Sequence, residues 1–298
     1  MTVALSRQDK FLLAFVAALA SIGLVLTFPA ATARAQGPTP KPFPFAEVDQ
    51  ETLTRGQMLW KRECLQCHGE DGSANTPTAL LLKPRPRDFT LGAVKFKTTS
   101  RESLPLKVDL ARTIREGVPG TAMASFAHLN ETDVEALAAW TEHLLLLGLQ
   151  QRVDASYQAS GVAPMPSVEF YWNHARKNLI SPTTPKTPTS KESVERGRNL
   201  FLGPKGNCWS CHGNDGAGKG PVSFDAHQQE YLLSDSWGNE IRLADLNLGQ
   251  FRGGNQPEQL WHRIQQGVAG TPMPNMTHKL SAKEIWDLVN FLLAEFSE

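Results

Sequence analysis

Two pentapeptides, Cys64-Leu65-Gln66-Cys67-His68 and Cys208-Trp209-Ser210-Cys211-His212, contain every cysteine of this 298-residue chain. No thiol is left for a disulfide. The fold must therefore be held by apolar packing and by whatever is fastened at these two places. The C-x-x-C-H spacing is one at which haem is attached, and the chemistry explains it. Two thiols must reach two vinyl groups along one porphyrin edge while the next imidazole lies under the iron. A tight turn off a helix end puts all three on one face. The competing readings fit less well. A redox dithiol does not need the histidine and should follow a strand, whereas helical patterns precede both clusters. A shared zinc site would have to join pairs separated by the 140 residues between Cys67 and Cys208.

The clusters sit in two copies of one pattern, residues 51–148 and 190–298. Arg55-Gly56-Gln57-Met58-Leu59-Trp60 opens the first and Arg196-Gly197-Arg198-Asn199-Leu200-Phe201 the second. In both, glycine precedes a large aromatic by four residues. That spacing sets them on one helix face, where the missing side chain lets another helix approach. A proline, Pro77 or Pro221, follows each histidine by nine residues. Asp88-Phe89-Thr90-Leu91-Gly92 matches Asp245-Leu246-Asn247-Leu248-Gly249. A second helix, expected over 109–116 and 257–266, stops at Gly117 or Gly267. It runs into Val118-Pro119-Gly120-Thr121-Ala122-Met123 or Val268-Ala269-Gly270-Thr271-Pro272-Met273. A longer amphipathic helix closes each copy, with Leu137 and Trp140 answering Leu288 and Phe291; Ser281 to Glu284 has the form of a capping box. No run alternates as strands do. The expected fold is all-α, two small helical bundles in tandem, each around one covalent haem.

The register of the copies selects the iron ligands. His68 and His212 each supply one axial ligand, and Met123 and Met273 occupy the same place after a Gly-Thr-x turn. A thioether is neutral and soft, so it favours reduced iron. A lone methionine would read as core filler; two in register read as ligands. Met276 has no counterpart and is the poorer candidate, and Met58 reads as a packing residue. Pro77 and Pro221 are expected to turn a carbonyl toward the free nitrogen of the axial histidine. The expected cofactors are two haem c groups. His128, His143, His174, His227, His262 and His278 have no counterparts and read as surface or helix residues.

Residues 1–35 form an export segment, with Arg7 and Lys10 before an uncharged run from Phe11 to Phe28 and Ala33-Arg34-Ala35 after it. The run is long for a signal core and long enough to cross a bilayer. It is either a cleaved signal or a retained anchor through residues 11–28, and both place the remaining chain outside the cytoplasm. Residues 36–50 read as a proline-rich tether. Residues 149–189 join the copies, with Ser181 to Ser190 expected to be extended and solvated. Phe170-Tyr171-Trp172 is too aromatic for a free linker and is expected to pack on a domain. The second copy holds extra residues around Phe224 to Glu240, for which the sequence suggests no role. Lys83, Arg85, Arg87, Lys95, Lys97, Arg101, Lys107, Arg112 and Arg115 crowd the first copy. They read equally as a surface for an acidic partner, as partners of haem propionates, or as a solvated face. The formal net charge is zero, so nothing global points to nucleic acid.

Each copy resembles a class I cytochrome c domain. The resemblance rests on the cysteine–histidine cluster, the following proline, the late methionine and the first and last helices. It implies that those helices cross at the glycine–aromatic contact, that Cys64, Cys67, Cys208 and Cys211 carry haem, and that His68 with Met123 and His212 with Met273 hold the irons. Together the halves resemble dihaem cytochromes that serve as electron-transfer subunits of bacterial respiratory or dehydrogenase complexes. The expected function is electron transfer between a redox protein donor and acceptor, one of them a membrane-bound complex where the chain acts as a subunit. The alternatives are a dihaem peroxidase with one open iron, a thiosulfate-oxidising enzyme, which would need an extra cysteine ligand, and a sensor, which would need an output domain. Each cluster predicts one thioether-bound haem. Denaturing electrophoresis should retain haem stain, intact mass should show two additions, and Cys64→Ala/Cys67→Ala should remove one; haem extracted by acid acetone would refute covalent attachment.

Overall fold

A methyl group on Gly197 would lie 2.1 Å from the carbonyl oxygen of Asp287 and 2.6 Å from Cβ of Phe291. One on Gly56 would lie 2.1 Å from the carbonyl oxygen of Ala136 and 2.9 Å from Cβ of Trp140. No side chain fits at either place, so two helix backbones touch there. These contacts close the two domains of the computed structural model, which describes residues 41–92, 94–162 and 167–297. The export segment, the proposed anchor and the start of the tether lie outside those residues.

In the first domain α1 runs Gln50–Glu63, capped by the Asp49 carboxylate on the Thr52 N–H. The first cluster forms α2, Leu65–His68, and Pro77 opens α3, Pro77–Leu81. Then come α4, Lys107–Glu116, and α5, Glu131–Ser160, whose first turn is capped by Asn130. A further helix, α6, Val168–Lys177, follows. In the second domain α7 is Lys191–Leu202, α8 Trp209–His212, α9 Pro257–Gln266 and α10 Ala282–Phe296. Pro257 sits at the start of α9, where its missing N–H costs nothing. The expected capping box is present, Ser281 and Glu284 bonding each other's backbone N–H. Between α8 and α9 lies a short antiparallel hairpin, β1 Phe224–Asp225 against β2 Glu230–Tyr231. The architecture is otherwise helical.

The crossing pairs are α1 with α5 and α7 with α10. Leu53, Trp60, Leu110, Ile114, Leu137 and Trp140 form the first core. Phe201, Leu260, Trp261, Ile264, Leu288 and Phe291 form the second. Around the second crossing, buried Asp287 accepts from Ser193 Oγ at 2.6 Å and from Arg196 at 2.7 and 2.8 Å.

Two stretches depart from the sequence reading. The end of the tether is packed: Phe43, Phe45 and Ala46 join Leu104, Leu146 and Trp172 in a third apolar cluster. Aromatic side chains drive this, since their burial outweighs the ordering of a short segment. The closing helix of the first domain runs on past 148 to Ser160. Phe170-Tyr171-Trp172 does pack on a domain, through Trp172, whose ring lies 5.6 Å from Phe45 with the Arg176 guanidinium stacked 3.1 Å above it; Phe170 is 50 % exposed. Ser181 to Ser190 has no helix or strand and is mostly exposed, as expected. It is also tied down: just before it Leu179 bridges Thr99 and Ile180 N–H donates to Thr98, and within it the Thr184 carbonyl accepts from Trp286 Nε1 and that of Thr187 from Asn290 Nδ2. Met58, expected to pack, is 62 % exposed.

Gly197→Ala should lower stability by about 2 kcal/mol or more, because the added methyl overlaps a carbonyl in a packed crossing; denaturant unfolding of the wild type and the variant measures it, and equal midpoints would contradict the crossing.

Candidate functional site

The first cluster starts at the end of α1, with Cys64 following Glu63, and the second starts at Cys208, six residues after α7 ends at Leu202; both turn sharply after the histidine. Gly69 and Gly213 have φ of +78° and +82°, a region glycine enters at no cost. The chain then curls back: Ala74 N–H donates to the His68 carbonyl and Gly218 N–H to that of His212, both at 2.8 Å. A 3-10 turn follows in each domain, Phe89–Leu91 and Leu246–Leu248, capped by Asp88 and Asp245. It is tied home by Phe89 N–H to Gly72 and Leu246 N–H to Gly216, again both at 2.8 Å.

The His68 ring is buried. Its Nδ1 lies 3.0 Å from the Arg87 carbonyl. A carbonyl only accepts, so Nδ1 carries the proton and the Nε2 lone pair is free to bind a metal. Phe89 stacks on the ring with centroids 5.0 Å apart, and Trp60 packs at 5.7 Å while donating Nε1–H to the Gly69 carbonyl. Burial holds the imidazole below its ordinary pKa. His212 is pushed down to about 4 by burial, and its Nδ1 has no hydrogen-bond partner among the described residues. Both rings are therefore neutral, the form that binds iron.

The carbonyl on His68 corrects the expectation for Pro77. Pro77 begins α3 beneath its Thr76 cap, and the tie from Phe89 to Gly72 delivers Arg87 to the imidazole instead. Pro221 lies in the turn leading to Phe224, and no bond joins it to His212. The aspartate register that pairs Asp88 with Asp245 pointed to this position; in the second domain the residue before Asp245 is Ala244.

The thiols do not look like a redox pair. Burial pushes Cys64 up to about 12 and Cys208 up to about 11, opposite to the lowered thiol pKa that exchange chemistry uses. Each pair sits in its own domain, all four cysteines unbridged.

The methionine turns are built twice by one set of bonds. In the first, Val118 N–H donates to Met123 O at 2.9 Å, Thr121 Oγ1 donates to Val118 O at 2.7 Å, and Met123 N–H donates to Thr121 Oγ1 at 3.1 Å. In the second, the same bonds join Val268, Thr271 and Met273 at 3.3, 2.8 and 3.2 Å. Gly117 and Gly267, with φ of +70° and +66°, start both turns. The unmatched Met276 is buried in the second core. Two thiols, an imidazole pushed toward its neutral form and a methionine on an internally bonded turn in each domain are a donor set that fits a c-type haem.

Three residues of the basic stretch, Lys83, Arg87 and Arg101, are turned toward the second domain. Arg87 stacks 4.1 Å over Trp237, Lys83 pairs with Glu240 at 3.2 Å, and Arg101 donates to the carbonyls of Met273 and Thr271, both at 2.9 Å. From the other side Arg252 donates to Gly120 at 3.3 Å. Burial pulls Arg87 down to about 10 and Lys95 down to about 8. Sequence reasoning missed this, although the extra residues around Phe224 to Glu240 supply both Trp237 and Glu240. His143, by contrast, is a buried helix residue stacked on Trp140.

Residues 51–140 match the family described as cytochrome c oxidase, cbb3-type, subunit III, and residues 194–294 match the family described as cytochrome c. No curated protein sequence is significantly similar to the chain. Among solved structures, a chain from the Kuenenia stuttgartiensis reducing HAO-like protein complex is 28 % identical, with a TM-score of 0.65 over 85 % of this chain and 98 % of that one. Two cytochrome c domains in tandem, each with its attachment cluster and its methionine turn in the same register, make this chain a c-type cytochrome.

Proposed function

We propose that the chain binds two haem c groups and relays single electrons between redox proteins on the extracytoplasmic side of a membrane. Electron transfer is the business of cytochrome c domains in general. The number of haems, their ligands and the sidedness are this proposal's own. The observation that carries it is the pair of methionine turns, with the same internal bonds at the same position in both domains.

Haem c, when bound, supplies one-electron iron chemistry. The chain's residues do the rest. Cys64, Cys67, Cys208 and Cys211 fix the porphyrin edge. His68 offers Nε2 because Nδ1–H is spent on Arg87, and His212 is kept neutral by burial. Met123 and Met273 offer soft, neutral sulfur, which raises the potential by favouring reduced iron. With one histidine and one methionine to hold each iron, no position would be left open to substrate, and the protein would set potential and access. Residues 1–35 would export the chain, as a signal or as an anchor through residues 11–28. No helix among the described residues is long and apolar enough to cross a membrane.

The partners follow from the same reading. A similar chain occurs in a redox complex, which supports a subunit or a dedicated carrier with a protein donor and acceptor. The rival reading is a peroxidase-type enzyme with one open iron, and spectra separate the two. The oxidised protein should show the weak sulfur–iron charge-transfer band at the red edge of the spectrum. It should fall by about half in Met123→Ala or Met273→Ala and vanish in the double variant, since one methionine serves each centre. Bis-histidine signals in electron paramagnetic resonance, or rapid peroxide turnover by the wild type, would reject the proposal.

A further inference from the structure

The two methionine turns have the same internal bonds but different surroundings. The first is nearly free on its outer side. Among the described residues its one cross-domain bond is the exposed contact from Arg252 to the Gly120 carbonyl, at 3.3 Å. The second is gripped from two directions. Arg101 of the first domain spans it, Nη1 on the Met273 carbonyl and Nη2 on the Thr271 carbonyl, both at 2.9 Å. The insertion holds the opposite side: Ser236 N–H donates to the Gly270 carbonyl at 3.0 Å. The Trp237 ring lies so close that a Cβ on Gly270 would meet it at 2.2 Å.

Both grips lead back to the first domain. Arg101 belongs to it, and its own carbonyl accepts from Lys97 Nζ at 2.8 Å. Trp237 is stacked under Arg87, and the Glu240 end of the insertion is paired with Lys83. Arg87 is also the residue whose carbonyl meets His68. The closing bond of the second turn, Val268 N–H to Met273 O, is 3.3 Å against 2.9 Å in the first. In the second turn the Met273 carbonyl is shared between that bond and the guanidinium.

We propose that Arg101 is a positioning residue for Met273, so that docking of the first domain holds the thioether of the second centre in place. The inference rests on the haem–methionine reading above. A guanidinium fork on two carbonyls fixes both position and orientation of the segment it spans. Met273 lies next to both bonds, so loss of the fork frees the sulfur to leave the iron. The two centres then differ in a way their ligands do not show: the first methionine is held by its own domain, the second by both.

The test uses the full-length, haem-loaded protein and imidazole as a competing sixth ligand, followed at the sulfur–iron band. In the wild type the half of the band that Met273→Ala removes reports the second centre. Arg101→Gln should let imidazole displace that half at about a tenfold lower concentration, as expected for the loss of charge-assisted hydrogen bonds. The half belonging to Met123 should stay within about twofold. Arg101→Lys keeps the charge but not the fork, so it should shift the second centre in the same direction. Trp237→Phe loosens the turn from the other side, leaves Arg101 in place and should weaken the same half. An imidazole titration unchanged in both Arg101→Gln and Trp237→Phe would overturn the proposal. So would equal shifts at both centres, or a wild-type response in Arg101→Lys, which would mean that charge alone acts. A wild-type protein with no sulfur–iron band would overturn the ligation reading itself rather than the role of Arg101.

Discussion

Everything in each domain is hung on one contact, the place where the first helix and the last touch through a glycine. Gly56 meets the backbone of Ala136 and Gly197 that of Asp287. Because no side chain separates them, the aromatic one turn further on, Trp60 or Phe201, is pressed against the closing helix and beside the histidine loop. The cluster follows that first helix, directly in the first domain and after a short turn in the second. The crossing thus helps to set the position of the cysteines and the imidazole. A larger residue at either glycine would move the helix, the thiols and the histidine together.

The contacts inside each domain were largely legible in the sequence because each is local and occurs twice. Glycine four residues before an aromatic, a histidine after two cysteines, an aspartate before a short turn and a methionine after Gly-Thr-x all report on their neighbours. Two copies in register separate signal from chance. The carbonyl that meets His68 was not legible. Proline suggested itself by spacing, yet the tie from Phe89 to Gly72 brings Arg87 there, and that tie joins residues 17 apart through backbone atoms that carry no sequence signature. Contacts between the domains were the least legible. The side chain of Arg101 gives no hint that its partners are carbonyls of Thr271 and Met273. Composition described Ser181 to Ser190 correctly as irregular and exposed, but gave no sign that Trp286 and Asn290 would donate to its carbonyls.

The basic residues of the first domain acquire a specific meaning from this arrangement. A charge run read alone is most simply a solvated face. Here several cations are drawn inward, and burial lowers the pKa of Arg87, Lys95, Arg252 and Arg263. Asp235 and Glu240 of the insertion answer part of that charge. Positive charge gathered between the two domains would favour the reduced state of a redox centre held nearby, and would do so more strongly in a partly dehydrated interface than in water.

The fastened linker has one more consequence. Its first end is stitched to the first domain through Thr98 and Thr99, its second to α10 through Thr184 and Thr187. A connection of this length makes each domain the nearest neighbour of the other at a millimolar effective concentration, on the order of what short linkers provide. Contacts between the domains include one arginine fork, one stacked tryptophan, one ion pair and one bond from Arg252. Joined in this way they need only select an orientation, because encounter has already been guaranteed by the chain.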